Sequence, residues 1–383
     1  MKIDDIKTIA VIGAGDMGHG IAEVALIAGY QVILQDITQE FVDRGVKRIY
    51  DSLEKMVSKS KVTQEHFDTI KSKLLTTFIE VEDAVRSADL VIEAVPELME
   101  LKKEVFTKMD KAAPAHTILA SNTSTMKISD IASITNRPEK VVGLHYFNPA
   151  VLMKLVEVIK GDQTSDETMQ IGVEFVKRTN KVPVRVEKDV AGFIVNRVQA
   201  PAGVLLSAIL DEGEIDPESI DALLRSLGMP MGPYETMDYS GLDIACHGGV
   251  YFAETIHPDF TPGKTIAEKV KNGDLGKKSG KGIFDWSAGR PNIDLSKATD
   301  KFDPMDLIAV NTNEATKIIA EGACSLEDID VAIINATGNP MGLIGMAKGM
   351  EPEDLTKRLD GLTERFGKEI FKPTQMIKDG QYR

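Results

Sequence analysis

The sequence predicts an α/β protein, with a parallel, doubly wound sheet at the N-terminus followed by two all-α domains in tandem. Three observations carry this. Short apolar runs alternate with helical patterns over residues 1–188, as strands and crossover helices do in a parallel sheet. From Asp189 onward long apolar helical stretches take over and no further strand pattern is evident. Finally, a degenerate repeat relates two parts of the helical region. Glu212-Gly213 and Ile220-Asp221 recur as Glu321-Gly322 and Ile329-Asp330, and Gly228 with Pro230 to Gly232 recurs as Gly338 with Pro340 to Gly342. The expected domains are 1–188, 189–288 and 303–383, with the polar stretch Ser287 to Pro304 as a linker.

The first strand, Ile6 to Ile12, runs into GAGDMG, with Gly13, Gly15 and Gly18, and then into a helical pattern closed by Gly29. A second strand, QVILQD, ends in Asp36. This is a GxGxxG fingerprint in its required context of strand, turn, helix, strand and acid, and it marks a Rossmann-type dinucleotide site. Gly13 permits the tight turn, Gly15 lets the backbone approach a pyrophosphate, and Gly18 lets helix and strand pack closely. Asp16 and Met17 lie in the same loop at the helix N-terminus, which stabilises a diphosphate. Asp36 is placed to accept from a ribose 2′-hydroxyl and to repel a 2′-phosphate, so NAD is expected over NADP. The bland alternative for Asp36 is a helix cap.

Residues 38–73 read as a charged helical hairpin carrying Lys47, Arg48, Lys55, Lys59 and Lys61. Such a run is either a solvated face or a surface that meets a phosphorylated ligand. Strand LLTTF, a short helix, strand DLVIEAV, a helix over Met99 to Ala112, strand TILASN, a short helix near Ile128 and strand VVGLHYF follow. Ligands of doubly wound sheets sit beyond the carboxyl ends of the strands, and Glu97, Ser124 and His145 each fall at or just after such an end. Lys102 begins the helix after Glu97.

His145 closes the apolar run VVGL, and Glu157 sits between Val156 and Val158 in the next strand, MKLVEVI. A carboxylate in such a strand is expected to be buried and to need a partner. Asn148-Pro149 is a turn signal that lets the two strands fold back beside each other. An imidazole oriented by a carboxylate is a good base near neutral pH. The competing reading is a core histidine and an unrelated glutamate. A helix over Asp166 to Thr179 and strand VPVRV complete the first domain.

Composition narrows the classes. The 383 residues are 43% hydrophobic and 27% charged, ordinary for a globular protein, and the net charge of −14 disfavours a generic nucleic-acid or anionic-membrane surface. No run is long enough to span a bilayer. The N-terminal apolar stretch ends in a glycine motif rather than a cleavage site. Cys246 and Cys324 are far apart and lack metal-ligand spacing, so neither a disulfide framework nor a zinc site is expected, in keeping with a cytoplasmic protein.

The motifs GAGDMGHGIA, VIEAVPE, ASNTS, GLHYFNPAVLMKLVEVI, GFIVNR, GMPMGPYE and GKKSGKGIFDW together resemble the 3-hydroxyacyl-CoA dehydrogenases over essentially the whole chain. The resemblance implies that His145 and Glu157 form a catalytic dyad, and that Ser124, Asn148 and Asn196 line the reacting centre. It implies nicotinamide-nucleotide contacts for Glu97, Lys102 and Lys278, and a CoA contact for Lys59. An acyl-CoA partner follows, with a short-chain substrate such as 3-hydroxybutyryl-CoA. The tandem helical region is similar to that of multifunctional β-oxidation enzymes. It implies copies that pack on each other within the chain, which is then a monomer or dimerises elsewhere. Two departures, Leu98 after Glu97 and Ile283-Phe284 in place of Phe-Tyr, fall outside the dyad. Two rivals remain: an NAD-linked dehydrogenase of a free 3-hydroxy or sugar acid on the same scaffold, and a non-catalytic NAD-binding protein.

Overall fold

The computed structural model describes residues 1–383. Its chain divides into two compact units, Met1–Val195 with Glu321–Gly342, and Asn196–Ala320 with Leu343–Arg383.

The first unit is built on an eight-stranded sheet: β1 (Thr8–Ile12), β2 (Gln31–Gln35), β3 (Leu75–Phe78), β4 (Leu90–Glu93), β5 (Ile118–Ser121), β6 (Val141–Tyr146), β7 (Leu155–Ile159) and β8 (Val182–Val186). The order is β3-β2-β1-β4-β5-β6-β7-β8. The chain therefore winds one way from β1 to β3 and the other way from β4, leaving a crevice beyond the carboxyl ends of β1 and β4. Every residue of β4, β5, β6 and β7 is buried, which is why these strands read as mostly apolar runs rather than alternating ones, with Glu93, Ser121, His145 and Glu157 as the polar exceptions.

Neighbouring strands are parallel except β6 and β7, which are antiparallel. The exception is the fold-back that the Asn148-Pro149 turn signal allows, and it has a simple cause. Only residues 147–154 separate β6 from β7. A parallel crossover needs roughly a dozen residues or more, so this connection has to reverse. The register sets His145 directly opposite Glu157. Gly172, on the helix Asp166–Arg178, sits against Val142, Leu144 and Val158, and strand alternation turns His145 and Glu157 to the other face.

Helices Met99–Ala112 and Asp166–Arg178 lie where the periodicity puts them. The charged hairpin is a helix, Gln39–Ser58, with Thr38 as N-cap, then a short helix, Gln64–Thr69, finished by one π turn, Ile70–Leu74. Residues 321–342 add a helix, Leu326–Thr337, that packs on β7 and β8. It buries Ile329, Ala332 and Ile333, an i, i+3, i+4 stripe, and Glu187 N–H just beyond β8 donates to the Ala323 carbonyl at 2.8 Å. This part of the second helical copy thus belongs with the sheet rather than with residues 343–383.

The second unit is helical. Within it, helices Val195–Glu212 and Met305–Ala320 meet through a buried Arg197 Nε–Glu314 Oε1 pair at 2.5 Å and an Ala202 N–H to Asn311 Oδ1 bond at 3.1 Å. Arg365 pairs with Glu212 at 3.0 Å through Nε. The stretch read as a linker is packed: Ile293 and Phe302 are buried, and the Asp294 N–H donates to Glu218 at 3.0 Å. The repeat signature has a structural meaning. A Cβ on Gly232 would lie 2.1 Å from the Asp221 carboxyl carbon, and one on Gly342 would lie 2.2 Å from Asp330 Oδ1. Asp221 uses both oxygens to cap the helix Pro233–Ser240, accepting from Tyr234 N–H (2.9 Å) and Glu235 N–H (2.7 Å). In the first copy the recurring Asp and Gly are thus a cap and the close approach it demands, and the second copy keeps that close approach. No helix is long and apolar enough to cross a membrane, and no three His, Cys, Asp or Glu side chains are placed to hold a metal ion.

Candidate active site

The glycine loop leaves β1 and enters the helix Gly18–Ile27. Gly13 has φ +100°, and a Cβ there would strike the Ala94 carbonyl oxygen at 2.7 Å. A Cβ on Gly18 would lie 1.7 Å from the Gly13 oxygen, so these two glycines are fixed by the fold itself. Gly15 differs: nothing lies within 4 Å of its Cβ position, so the backbone is bare toward open space. Asp36, just past β2, is tied to the loop, its Oδ2 accepting from Ala14 N–H and its Oδ1 from Ile37 N–H, at 2.8 and 2.7 Å. An exposed glycine at a helix N-terminus and an acid held beside it fit a dinucleotide's diphosphate and ribose. Met17 is the N-cap residue of that helix. Asp16 forms an ion pair with Arg48 at 2.5 Å.

At the ends of β4 and β5 the structure reveals a network that the sequence reading missed. Glu93, fully buried, accepts from Lys102 Nζ (2.7 Å), Ser121 Oγ (2.6 Å) and Val95 N–H (2.8 Å). Lys102 is 1% exposed and also reaches Glu97 Oε2 at 3.2 Å. Burial alone would lower the Lys102 pKa, but Glu93 and Glu97 outweigh it and hold it above its ordinary value. Burial likewise pushes Glu97 upward, and Lys102 with the Thr123 hydroxyl and Ser124 N–H reverses this to a net lowering. Glu97 Oε1 accepts from Ser124 N–H at 2.8 Å and from Thr123 Oγ1, so it organises the loop that carries Ser124. Lys102 therefore faces the two carboxylates, and Glu97 is the partly exposed member of the group. A signal for this existed. Lys102 falls on the same stripe as Val105, Phe106 and Met109, and a lysine on an apolar stripe needs buried acid partners.

His145 and Glu157 are brought together. His145 Nδ1 lies 2.6 Å from Glu157 Oε2, with 5% and 0% of the two residues exposed. The other oxygen, Oε1, accepts from Ile194 N–H (3.0 Å) and Val195 N–H (2.9 Å). The imidazole packs between Phe147 and Phe193, with centroids 4.4 and 5.7 Å away. Asn148, in a cis peptide bond to Pro149, lines a cleft of about 470 Å³ together with Asp16, His19, Arg48 and Lys55. Lys59 lies beyond these lining residues at the C-cap of the same helix, so Arg48 and Lys55 are the cations at this cleft. Asn196 and Lys278 belong to the second unit. Asn196 follows Val195 directly in the chain, and Lys278 pairs with Asp243 at 2.5 Å.

A doubly wound sheet with this glycine loop and acid defines a dinucleotide-binding protein. Comparison with known proteins makes the class specific. The family model described as 3-hydroxyacyl-CoA dehydrogenase, NAD binding domain, matches residues 8–190. The model for the C-terminal domain of the same family matches residues 192–286 and 306–381. The chain belongs to the 3-hydroxyacyl-CoA dehydrogenase family, and is an NAD-dependent oxidoreductase. It is 42% identical over 306 residues to the 3-hydroxyadipyl-CoA dehydrogenase of Escherichia coli, an alignment covering 79% of this chain and 64% of that one. It is 40% identical over 289 residues to the mitochondrial hydroxyacyl-coenzyme A dehydrogenase of Mus musculus, covering 73% and 91% of the two chains. The crystal structure of a 3-hydroxybutyryl-CoA dehydrogenase from Escherichia coli superposes with a TM-score of 0.88 at 30% identity, covering 98% of each chain.

Proposed function

We propose that this protein interconverts short-chain (S)-3-hydroxyacyl-CoA and 3-ketoacyl-CoA, such as 3-hydroxybutyryl-CoA and acetoacetyl-CoA, with His145 as acid–base and Glu157 as its orienting partner. NAD, when bound, supplies the hydride chemistry at C3 of the substrate. Its diphosphate is assigned to the Gly13–Gly18 loop and its ribose to Asp36. The observation that carries the proposal is the buried His145–Glu157 bond, whose second carboxylate oxygen is held by two backbone N–H groups. A carboxylate locked in that orientation accepts Nδ1–H. The imidazole is thereby fixed as the tautomer whose Nε2 has a lone pair for the 3-hydroxyl proton. In the reverse direction Nε2–H returns the proton to the developing alkoxide. Ser124, on the loop that Glu97 organises, is assigned as a donor to that oxygen, and Asn196 as a second donor on the strength of the family resemblance. Arg48 and Lys55 supply positive charge at the cleft for the phosphorylated part of the substrate, with Lys59 one turn beyond Lys55 on the same helix face. We assign the second helical copy to packing within one chain, a reading supported by the Arg197–Glu314 and Arg365–Glu212 pairs that join residues 196–212 to 305–320 and 343–383.

The test is NADH-linked reduction of acetoacetyl-CoA, 3-oxoadipyl-CoA and longer 3-ketoacyl-CoAs, compared with the free acids, reading kcat/KM for each. The expected outcome is the highest value for a four-carbon acyl-CoA. Equal turnover of the free acids would overturn the CoA assignment, and a preference for 3-oxoadipyl-CoA would shift the substrate toward that of the 42% identical relative.

A further inference from the structure

We infer that Lys181 is a positioning residue for this reaction, clamping the turn that joins the strand of His145 to the strand of Glu157. The inference rests on the reading of that pair given above. Lys181 Nζ donates to the carbonyls of Ala150 (2.6 Å), Val151 (3.1 Å) and Met153 (2.7 Å). These bonds use all three donors of an ammonium group. The carbonyls belong to one helical turn, in which Leu152 N–H and Met153 N–H both bond the Pro149 carbonyl, at 2.9 and 3.0 Å. Carbonyls at the end of such a turn have no partner within it, and a cation there is favoured by the local dipoles.

The lysine is delivered by the local backbone. Helix Asp166–Arg178 is capped by Thr179, the next residue Asn180 turns the chain with a φ of +58°, and Lys181 follows immediately. The next residue, Val182, opens β8 and donates its N–H to the Lys154 carbonyl at 2.8 Å. Side chain and backbone together therefore hold four carbonyls between Ala150 and Lys154, most of the short link between the two strands.

On its other side the clamp reaches the cofactor loop. Helix Gly18–Ile27 carries Glu23, which is 0% exposed; burial raises its pKa, and the Ser52 hydroxyl and then the Lys181 charge oppose that rise. One turn earlier, a Cβ on Gly20 would lie 3.2 Å from the Ala150 Cβ, so this helix rests on the clamped turn. Asn148 to Val151 line the cleft beside His19 and Arg48. Neither the glycine loop nor the His145–Glu157 bond uses Lys181. Its bonds go to the segment that relates the two, and a misplacement of about 1 Å at a reacting centre costs roughly 100-fold in rate.

The experiment compares Lys181→Met, Lys181→Gln and Lys181→Arg in the full chain, assayed with acetoacetyl-CoA and NADH well below each variant's melting temperature. NADH affinity is read separately by fluorescence. Lys181→Met is expected to lower kcat by roughly 10- to 100-fold while the NADH Kd stays within about twofold. Lys181→Arg, which keeps the charge and several donors, is expected to recover much of that loss. If Lys181→Met melts earlier but keeps kcat and KM near wild type, the lysine only stabilises the fold and the inference is wrong. If it does not fold, Lys181→Gln decides, because it keeps two donors: a folded Gln variant with wild-type kcat and KM also overturns the idea. An absence of acyl-CoA turnover in the wild type would instead reject the functional reading on which this rests.

Discussion

Glu157→Gln isolates the orienting role, because it changes one atom type and almost no volume. In the native site both carboxylate oxygens accept: Oε2 from His145 and Oε1 from the N–H groups of Ile194 and Val195. A glutamine has one oxygen and one NH₂, so it has to choose. Turning its NH₂ toward Ile194 and Val195 would set donor against two donors and leave two buried N–H groups unpaired, at about 1–3 kcal/mol each. The amide therefore keeps its oxygen there and presents NH₂ to His145 Nδ1. An imidazole facing a donor has to accept, so its proton moves to Nε2, the atom that takes the substrate proton. The variant keeps its fold and carries the wrong tautomer. The comparable change in a serine-protease triad costs roughly 10⁴-fold in kcat. We expect a loss of about 10³- to 10⁴-fold in kcat by the same scale, with unchanged NADH affinity and circular dichroism. Stopped-flow reduction of acetoacetyl-CoA reads the rate directly. A loss below about tenfold, on that scale, would show that Glu157 does not set the tautomer.

Three further outcomes test neighbouring steps. His145→Gln is expected to lose roughly 10²- to 10⁴-fold in kcat while still binding NADH; retention of more than about a third of the wild-type kcat in steady-state assays would remove His145 from the mechanism. Asp36→Ala is expected to narrow the gap between NADH and NADPH in kcat/KM, and a wild type that already favours NADPH would contradict the role given to Asp36. Glu23 tests the energetics of the buried cluster. Burial pushes its pKa from 4.5 up to about 7, so between those values the unfolded chain ionises while the folded one stays protonated. The resulting cost is absent at pH 4.5, grows as pH rises and is complete above pH 7, reaching at most about 3 kcal/mol. Glu23→Gln is thus expected to be near neutral in urea unfolding at pH 4.5 and stabilising at pH 8. Equal effects at both pH values would mean that Glu23 does not titrate as described.

How far the fold could be read from sequence depended on whether a pattern had a local cause. Ile9 to Ile12 and Leu90 to Ile92 are buried strand residues between glycine turns and helices, and periodicity alone locates them. The reversal at β6–β7 is legible in the Asn148-Pro149 turn signal and in the shortness of the connection, 147–154. The placement of residues 321–342 was not legible. The apolar stripe Ile329, Ala332, Ile333 says that the helix is covered on one face, but it does not say by what. A stripe that fits a helical bundle fits the β7–β8 face equally well, and only the tertiary fold chooses.

The site divides along a similar line. His145 and Glu157 were conspicuous because polar groups inside apolar runs are costly unless paired, and the strands each supplied one. Glu93 carries the same signature in DLVIEAV, yet an acid at a strand end also suits solvent, so nothing in the run itself demanded burial. Its partner Lys102 made that demand from the stripe Val105, Phe106 and Met109, so the two readings had to be made jointly. Lys181 lies beyond even that approach. Its partners are the carbonyls of Ala150, Val151 and Met153, which every residue type provides equally. A side chain that serves side chains leaves complementary residues in the sequence, whereas one that serves backbone leaves only itself. Lysines placed like Lys181 become visible when the question is which carbonyls a turn leaves unpaired, and that can be asked only once the turn has been seen.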